Sequence, residues 1–300
     1  MRRGAHLLRT FGLSAVVDTV KRRVRPVASS FTLDVRGLRM SGSSIGQLGQ
    51  IRDWADGSKD GYMTEVFHCA LEPGTAVIDV GAYLGYFTLL AARGVGVDGR
   101  VVAFEPHPDS RRALRENLVG NGVADRVVLV DKALAATPGT RSFFLDATDE
   151  SESGLDPAHE GARAVRVDCA RGDDVLAEHD VLDERRLRAV KIDVEGREVE
   201  VLESLHSTLI ESRPALFVEC NPEALARAGA SSARLLEAIA GLGFDASVIN
   251  EDARCLEPVP ADLERRIEPG GYVNLFCRAS GQDPQPRGRP SAASWRPARC

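Results

Sequence analysis

The sequence predicts an α/β fold of the Rossmann-like type, with a mostly parallel seven-stranded sheet and helices on both faces. Three observations support this prediction. From Ala76 onward, short apolar runs alternate with helical patterns, as in parallel strands joined by crossover helices. The runs are almost continuous in Val, Ile and Phe, which is typical of strands buried on both faces. The first run ends in a glycine turn, Gly81–Gly85, that leads into a helix.

Each predicted element has its own local signal. The seven strands are the apolar runs Ala76–Val80, Val101–Glu105, Val127–Val130, Ala189–Asp193, Ala215–Cys220, Phe244–Ile249 and Tyr272–Arg278. The helices are predicted at Leu84–Arg93, Pro108–Asn121, Arg197–Ile210 and Ser231–Gly241.

An insertion and two terminal segments complete the predicted organisation. The runs Arg141–Asp146 and Ala164–Asp168 indicate an inserted strand pair around the polar segment Thr148–Gly161. We expect a helical or extended N-terminal extension over residues 1–60 and the α/β domain over residues 61–280. Residues 281–300 are rich in Pro, Arg and Ser and poor in apolar residues, so we expect a disordered tail.

The N-terminal extension carries a basic amphipathic helix pattern. Its apolar residues recur at near-helical spacing, at Leu7, Leu8, Phe11, Ala15 and Val16. The uninterrupted apolar run is far shorter than the roughly 20 residues of a membrane span. The helix is therefore expected to pack on the domain, or to contact a membrane surface weakly through its arginines.

Composition limits the class of partner and the compartment. The net charge of -6 argues against nucleic acid as a partner, because phosphate binding requires a basic face. The six cysteines show no C-x-x-C pair and no zinc-type spacing. We expect free thiols and a reducing, cytoplasmic location.

The turn after the first strand indicates a cationic cofactor. A dinucleotide fingerprint does not fit, because Asp79 and Leu84 stand where the first and third glycines would be. Gly81 and Gly85 allow the backbone to approach a ligand closely. The Asp79 carboxylate beside them would attract an ammonium or sulfonium group and repel a pyrophosphate. Together these residues predict a site for a cationic amino-acid cofactor.

Acidic residues also close the next two strands. Glu105 follows Gly85 by twenty positions and can accept hydrogen bonds from both hydroxyls of a ribose. Asp131 closes the third strand and could reach the adenine side of the same pocket. A plain solvated strand end explains Asp131 equally well.

Further carboxylates follow the fourth and fifth strands. Ligands of open α/β sheets bind at the carboxyl ends of the strands, and this rule places Asp193 and Glu219 on the same edge as Gly81 and Glu105. Lys191 is expected to orient a carboxylate. Glu195 is a further candidate at this edge, with capping of the next helix as the alternative.

These blocks, in order, resemble the FkbM family of S-adenosylmethionine-dependent methyltransferases. The resemblance rests on VIDVGAYLGYFTLLAA, VVAFEPHPDSRRALRENLVGNG, KIDVEGREVEVLESL and PALFVEC. It implies a class I methyltransferase fold, S-adenosyl-L-methionine as cofactor, and O-methylation of a sugar, glycan or polyketide-type natural product. The predicted cofactor-binding residues are Asp79, Gly81, Tyr83, Gly85, Glu105 and Asp131. Tyr83 departs from the Asn that is usual in this family.

The predicted catalytic residues are Asp193, as base or substrate-orienting carboxylate, and Glu219 as the second choice, with His107 third. No metal site is assigned, although Asp193 with Glu219 could hold a divalent cation. The acceptor pocket is expected in the 140–165 and 251–271 stretches. Two alternatives stay open: a catalytically silent cofactor-binding protein and, with less support, a nicotinamide-dependent oxidoreductase.

Overall fold

The computed structural model describes residues 30–145, 153–157, 163–178, 182 and 185–281 of the chain. The predicted N-terminal amphipathic helix lies outside these residues. The predicted tail also lies outside them, apart from Gly281. Five of the six cysteines are described, and all five are free thiols.

Strands and helices alternate along most of the described chain. The strands are β1 Phe31–Val35, β2 Leu38–Gly42, β3 Ala76–Val80, β4 Arg100–Phe104, β5 Val127–Val130, β6 Ala133–Leu134, β7 Gly139–Leu145, β8 Arg163–Ala170, β9 Leu187–Ile192, β10 Ala215–Cys220, β11 Phe244–Asn250, β12 Cys255–Pro258 and β13 Val273–Ala279. The helices are α1 Ile45–Asp56, α2 Gly61–Ala70, α3 Tyr86–Gly94, α4 Pro108–Gly120, α5 Gly172–Glu178, α6 Glu198–Ser204, α7 His206–Ser212, α8 Pro222–Arg227, α9 Ser232–Gly241 and α10 Leu263–Arg266.

The central sheet confirms the predicted Rossmann-like fold. Its strand order is β12-β11-β13-β10-β9-β3-β4-β5. The pairs from β10 through β9, β3 and β4 to β5 are parallel, while β13 runs antiparallel to both of its neighbours. β4 and β9 are the two neighbours of β3 in the sheet, so the chain first builds the sheet on one side of β3 and later on the other. This reversal creates the crevice in which such sheets bind ligands.

Three details of the fold differ from the predictions. All seven predicted strands are present, but β12 pairs with β11 and makes an eighth strand in the sheet. The inserted strand pair is part of a three-stranded sheet in which β8 pairs with both β7 and β6. The single helix predicted over Arg197–Ile210 is two helices, α6 and α7, because Leu205 leaves helical geometry (φ -105°, ψ 16°).

The two faces of the sheet are buried in separate apolar clusters. On β3, Val77 belongs to one cluster, while Ile78 and Val80 belong to the other. On β10, Phe217 faces the first cluster and Val218 the second. Alternate residues of a strand point to opposite faces, so these continuous apolar runs need cover on both sides.

The segment before β3 packs into the same core as the sheet. Val35, Leu38, Ile51 and Trp54 are buried in the cluster that also contains Val77. Side-chain hydrogen bonds fasten the β1–β2 hairpin to α4, where Asn117 bonds the backbone of Ser41 and Asn121 bonds that of Arg39. The described part of the predicted extension is thus fixed beside the carboxyl ends of the strands.

Candidate functional site

A cleft of about 1040 Å³, partly open to solvent, lies at the carboxyl ends of β3, β4, β9 and β10. Six carboxylates and three lysines line it: Asp60, Asp79, Glu105, Asp193, Glu195, Glu219, Lys59, Lys132 and Lys191. The lining therefore attracts cationic ligands, in agreement with the cofactor class inferred from the glycine turn.

The two glycines of the turn have different roles. Gly81 lines the cleft at φ 80°, and a Cβ atom there would lie 1.8 Å from the carbonyl oxygen of Asp193. Gly85, at φ 91°, is not among the lining residues, and its Cβ would lie 2.2 Å from the Cδ1 of Leu114. Gly81 thus lets the turn pass close to the end of β9, and Gly85 lets α4 pack against the turn. The predicted contact of Gly85 with the cofactor stays a prediction.

Glu105 is held by the backbone of the turn. The carboxylate is buried, with Oε2 accepting the Tyr83 N–H at 2.6 Å and Oε1 accepting the His107 N–H at 2.8 Å. Each oxygen keeps further acceptor capacity, which suits a ligand with two adjacent hydroxyls. Burial raises the pKa of Glu105 to about 7, against the effect of these two hydrogen bonds.

Tyr83 occupies a backbone conformation that is unusual for its type. Its φ of 49° lies in the left-handed region, where Asn is more common than other non-glycine residues. Asn would adopt this backbone geometry more readily than Tyr. The Tyr83 N–H still reaches Glu105, and Tyr83 still lines the cleft.

Asp79 is a buried acceptor with one oxygen unused. Its Oδ2 accepts the Thr88 hydroxyl at 2.5 Å, whereas Oδ1 is buried without a hydrogen-bond partner. Burial raises the pKa of Asp79, and the positive charge of Lys191 opposes this. An ammonium group placed in the cleft would satisfy Oδ1, so the orphaned oxygen fits a cationic amino-acid moiety.

Asp193 and Lys191 form an ion pair at the end of β9. The Nζ of Lys191 donates to Asp193 Oδ2 at 2.9 Å and lies 5.1 Å from the ring centroid of Phe87. Burial alone would lower the pKa of Lys191, but the charges of Asp193 and Asp79 outweigh it and raise the pKa. Lys191 therefore orients a carboxylate, as its position in the sequence predicts. The Asp193 side chain remains 35% exposed and faces the cleft.

Glu219 and Glu195 bring further acidic groups to Asp193. One carboxylate oxygen from each of the three residues lies within 4.8 Å of the others. Two full charges at this separation repel by about 3.5 kcal/mol at an effective dielectric constant near 20. Burial, and then the charges of Asp193 and Glu195, raise the pKa of Glu219 well above its ordinary value.

Glu195 lies between the end of β9 and α6. In this turn the Oε1 of Glu198 accepts the N–H groups of Val194 and Gly196. Glu195 has a left-handed φ of 55°, and its side chain lines the cleft beside Asp193. Glu195 as a residue of the cleft and Glu195 as a cap of the next helix both stay predictions.

His107 and Phe143 form an apolar wall next to Glu105. Their rings stack with centroids 6.1 Å apart, and Phe143 comes from the inserted sheet. Burial lowers the pKa of His107, whose Nδ1 bonds the Ser110 hydroxyl at 2.8 Å. Such a wall beside a ribose acceptor suits a flat heterocycle. Asp131 is exposed outside the lining, so its role toward adenine stays a prediction.

Another part of the lining comes from Trp54, Lys59 and Asp60, which the sequence analysis does not predict. Trp54 of α1 stacks on Tyr86 with centroids 4.8 Å apart, and its Nε1 donates to Asp60 Oδ2 at 3.2 Å. Asp60 also accepts from Asn274 Nδ2 at 3.1 Å, and Lys59 lies beside it in the lining. The only signal in the sequence is the polar turn DGSKDG between two helical stretches.

The two stretches predicted to hold the acceptor pocket behave differently. Phe143, Ser153 and Leu155 from the 140–165 stretch line the cleft. No residue of the 251–271 stretch does so, and this part of the prediction is wrong. The Glu251 carboxylate instead accepts hydrogen bonds from the backbone N–H groups of Tyr62 and Met63. These bonds hold the loop that contains Glu251 against the start of α2.

A family model matches more than half of the chain. The model described as the methyltransferase FkbM domain matches residues 79–246, which is more than half of the 300 residues. The matched region begins at Asp79, and it contains Glu105, Asp193 and Glu219.

Two curated relatives match shorter regions. Catechol O-methyltransferase of Mycobacterium tuberculosis is 36% identical in an alignment of 118 residues that covers 36% of this chain and 54% of the relative. Methyltransferase 1 of Beauveria bassiana is 28% identical in an alignment of 156 residues that covers 45% of this chain and 61% of the relative. The chain thus spans less than two thirds of the length of these relatives.

Solved structures of methyltransferases are also similar in part. The methyltransferase FkbM of Methylobacillus flagellatus is 13% identical, with 91% of this chain and 60% of that chain covered at a TM-score of 0.41. The O-methyltransferase TomG of Streptomyces achromogenes, in complex with S-adenosylmethionine, is 16% identical, with 79% and 87% covered at a TM-score of 0.46. Among the helices of the described chain, none is both long and apolar enough to cross a membrane.

Proposed function

Because the chain belongs to the FkbM methyltransferase family, we propose that it is an S-adenosylmethionine-dependent O-methyltransferase acting on a hydroxyl of a sugar, glycan or polyketide-type natural product. The observation that carries this proposal is that residues suited to cofactor binding and a residue suited to proton transfer lie at the same edge of the sheet. Asp79 and Glu105 offer acceptors for a cationic nucleoside-containing cofactor, and Asp193 lies beside them. The nicotinamide-dependent alternative is disfavoured by the family match.

The cofactor would be held by groups that the chain already orients. Asp79 Oδ1 would accept from its ammonium group, the two Glu105 oxygens from its ribose hydroxyls, and the His107–Phe143 wall would cover its adenine. Bound S-adenosylmethionine would supply a methyl group on a positively charged sulfur, which is the electrophile.

The chain itself positions the hydroxyl and accepts its proton. The cleft would hold the acceptor hydroxyl next to the methyl group of the bound cofactor. With the cofactor and acceptor bound, the Asp193 carboxylate, which Lys191 orients, would accept the hydroxyl proton. Trp54, Tyr86 and Phe87 add aromatic surface to the cleft, which would help to keep water from the reacting groups.

The proposal is tested by cofactor binding and by methyl transfer to defined acceptors. We expect wild-type protein to bind S-adenosylmethionine in calorimetry with a Kd of roughly 1 µM, about -8 kcal/mol. Labelled methyl groups should then appear on a hydroxyl in a panel of hexoses, oligosaccharides and macrolide aglycones. Binding without transfer would support the catalytically silent alternative, and transfer only to amines or thiols would contradict the O-methyl assignment.

Replacing Asp193 separates binding from catalysis. Asp193→Asn should keep cofactor affinity within about twofold and lower turnover by roughly 100-fold or more, because the amide cannot take a proton. Asp252→Asn, an exposed acid outside the cleft, is the matched control. Near wild-type turnover in a correctly folded Asp193→Asn protein would exclude Asp193 as the base and favour Glu219.

A further inference from the structure

Three carboxylates meet at the ends of two neighbouring strands. Asp193 and Glu195 follow β9, and Glu219 lies in β10. Each offers one oxygen, and these oxygens lie within 4.8 Å of one another. The lining of the cleft includes all three side chains, so a ligand in the cleft can reach the group.

Glu219 supplies a second observation that points to a ligand. The residue is only 7% exposed, and its Oε2 is buried without a hydrogen-bond partner. A buried carboxylate oxygen is costly unless a donor or a cation satisfies it. Its neighbours Asp193 and Glu195 add negative charge at the same place.

Two lysines of the cleft, Lys59 and Lys191, already contact groups other than Glu219. Lys191 donates to Asp193 Oδ2 at 2.9 Å, and its positive charge also interacts with the carboxylates of Asp79 and Asp60. Lys59 donates to Gln50 Oε1 at 3.1 Å and lies 5.5 Å from the ring centroid of Tyr272. Glu219 Oε2 accepts a hydrogen bond from neither lysine, so this buried oxygen stays without a donor while Lys191 pairs with Asp193.

We infer that Asp193, Glu195 and Glu219 bind a divalent cation of the oxygen-preferring class, namely Ca²⁺, Mg²⁺ or Mn²⁺. Oxygens on opposite sides of one calcium ion lie about 4.6–5.2 Å apart, so a spread of 4.8 Å suits a shared ion. The donor set holds only oxygen and therefore disfavours zinc, which prefers nitrogen and sulfur ligands. Three protein ligands leave positions open toward the cleft.

This inference rests on the proposed function and deepens it. An acceptor oxygen that takes an open position would be fixed and polarised next to Asp193. A second acceptor oxygen on an adjacent carbon could take a neighbouring position on the same ion. The cluster thus favours acceptors with two vicinal oxygens over isolated alcohols.

Metal binding can be measured without any acceptor. Full-length protein, dialysed against chelator and then against metal-free buffer, is titrated with MnCl₂ while the signal of free Mn²⁺ is followed by electron paramagnetic resonance. Calorimetry with CaCl₂ and MgCl₂ is run alongside. We expect one site per chain with a Kd on the order of 100 µM for at least one of these ions.

Variants assign the site. Glu219→Gln and Asp193→Asn should each weaken binding at least tenfold, while Glu211→Gln, an exposed acid on α7, should not change it. Asp193 is partly exposed, so its variant remains informative if the buried Glu219→Gln protein fails to fold. S-Adenosylmethionine affinity is measured on every variant.

The outcomes separate this inference from the proposed function. No binding of the three ions by wild-type protein up to about 5 mM, or unchanged binding in both site variants, overturns the cation site. If S-adenosylmethionine still binds in that case, the proposed function stands without the ion. If the ion binds but S-adenosylmethionine does not, the proposed function fails and the cation site stands.

Discussion

Replacing Glu105 with Gln should weaken S-adenosylmethionine binding and remove part of its pH dependence. The carboxylate already accepts the N–H groups of Tyr83 and His107 at 2.6 and 2.8 Å, one on each oxygen. In the Gln variant the amide NH₂ must face one of these donors, so at least one contact becomes repulsive. It can also accept only one of the two expected ribose hydrogen bonds. The loss of one hydrogen bond to a charged acceptor is worth about 1–3 kcal/mol, or roughly 5- to 150-fold in Kd.

The pH dependence follows from the raised pKa of about 7 for Glu105. If the cofactor binds the ionised carboxylate, affinity falls as pH drops below that pKa. Between pH 7.5 and pH 6.0 this single group should weaken wild-type binding by about eightfold. The Gln variant has no such group. Between pH 7.5 and pH 6.0 its affinity should therefore fall by a factor about eight times smaller than that of the wild type.

The assay is calorimetry at pH 6.0, 6.5, 7.0 and 7.5 with wild-type protein, Glu105→Gln and the control Glu116→Gln. Glu116 is an exposed carboxylate on α4, so its variant should match the wild type at every pH. Equal affinities for wild type and Glu105→Gln at pH 7.5 would remove Glu105 from the ribose role. Parallel pH profiles for the two would refute the part of the argument that rests on its ionisation.

Three further predictions concern stability. Gly81→Ala should lower the free energy of unfolding by about 3 kcal/mol or more, because its Cβ atom would lie 1.8 Å from the Asp193 carbonyl oxygen and its positive φ is strained for alanine. Gly74 has a similar φ of 76° but open space around it. Thermal melts of Gly74→Ala therefore measure the cost of the backbone strain alone. Burial raises the pKa of Glu198 to about 7 from an ordinary 4.5, so ionisation of this group should destabilise the folded state by about 3 kcal/mol as pH rises from 4.5 through 7. In urea unfolding, the free energy of unfolding of Glu198→Gln should therefore fall less between about pH 5 and 8 than that of the wild type. Equal slopes for the two proteins would contradict this. Truncation after Ser280 should leave Tm within about 2 °C, since the composition of residues 281–300 offers little apolar surface to bury, and a loss of several degrees would show that the tail packs.

The sequence predicted the sheet and the acids at its edge for the same physical reason. Strands buried on both faces appear as continuous apolar runs, and the residue after each run must lie at the carboxyl edge of a parallel sheet. This reasoning identified Asp79, Glu105 and Asp193 before any contact was known. It also favoured Lys191 as a partner of a carboxylate, which the 2.9 Å ion pair shows.

The rest depended on contacts between distant parts of the chain. Asp60 reaches the cleft because it is held by Asn274, 214 positions away, and no local pattern records that pairing. Gly85 follows the spacing of a ligand-binding glycine, yet the structure brings it against Leu114 of α4. The wrong assignment of the 251–271 stretch has the same origin, because an irregular segment resembles a pocket wall until its tertiary partners are known.

Trp54, Lys59 and Asp60 come before β3 in the chain, and this order bears on how the acceptor specificity of such an enzyme could change. The region that matches the family begins at residue 79, so these three residues lie outside it. Under the proposed function, part of the acceptor-binding surface would then be encoded ahead of the stretch that binds the cofactor. Recombination or engineered exchange near residues 70–75 could transplant a new recognition wall onto an unchanged methyl-transfer core. The chimera would need to keep the fastening pairs Ser41–Asn117 and Asp60–Asn274, which cross that junction.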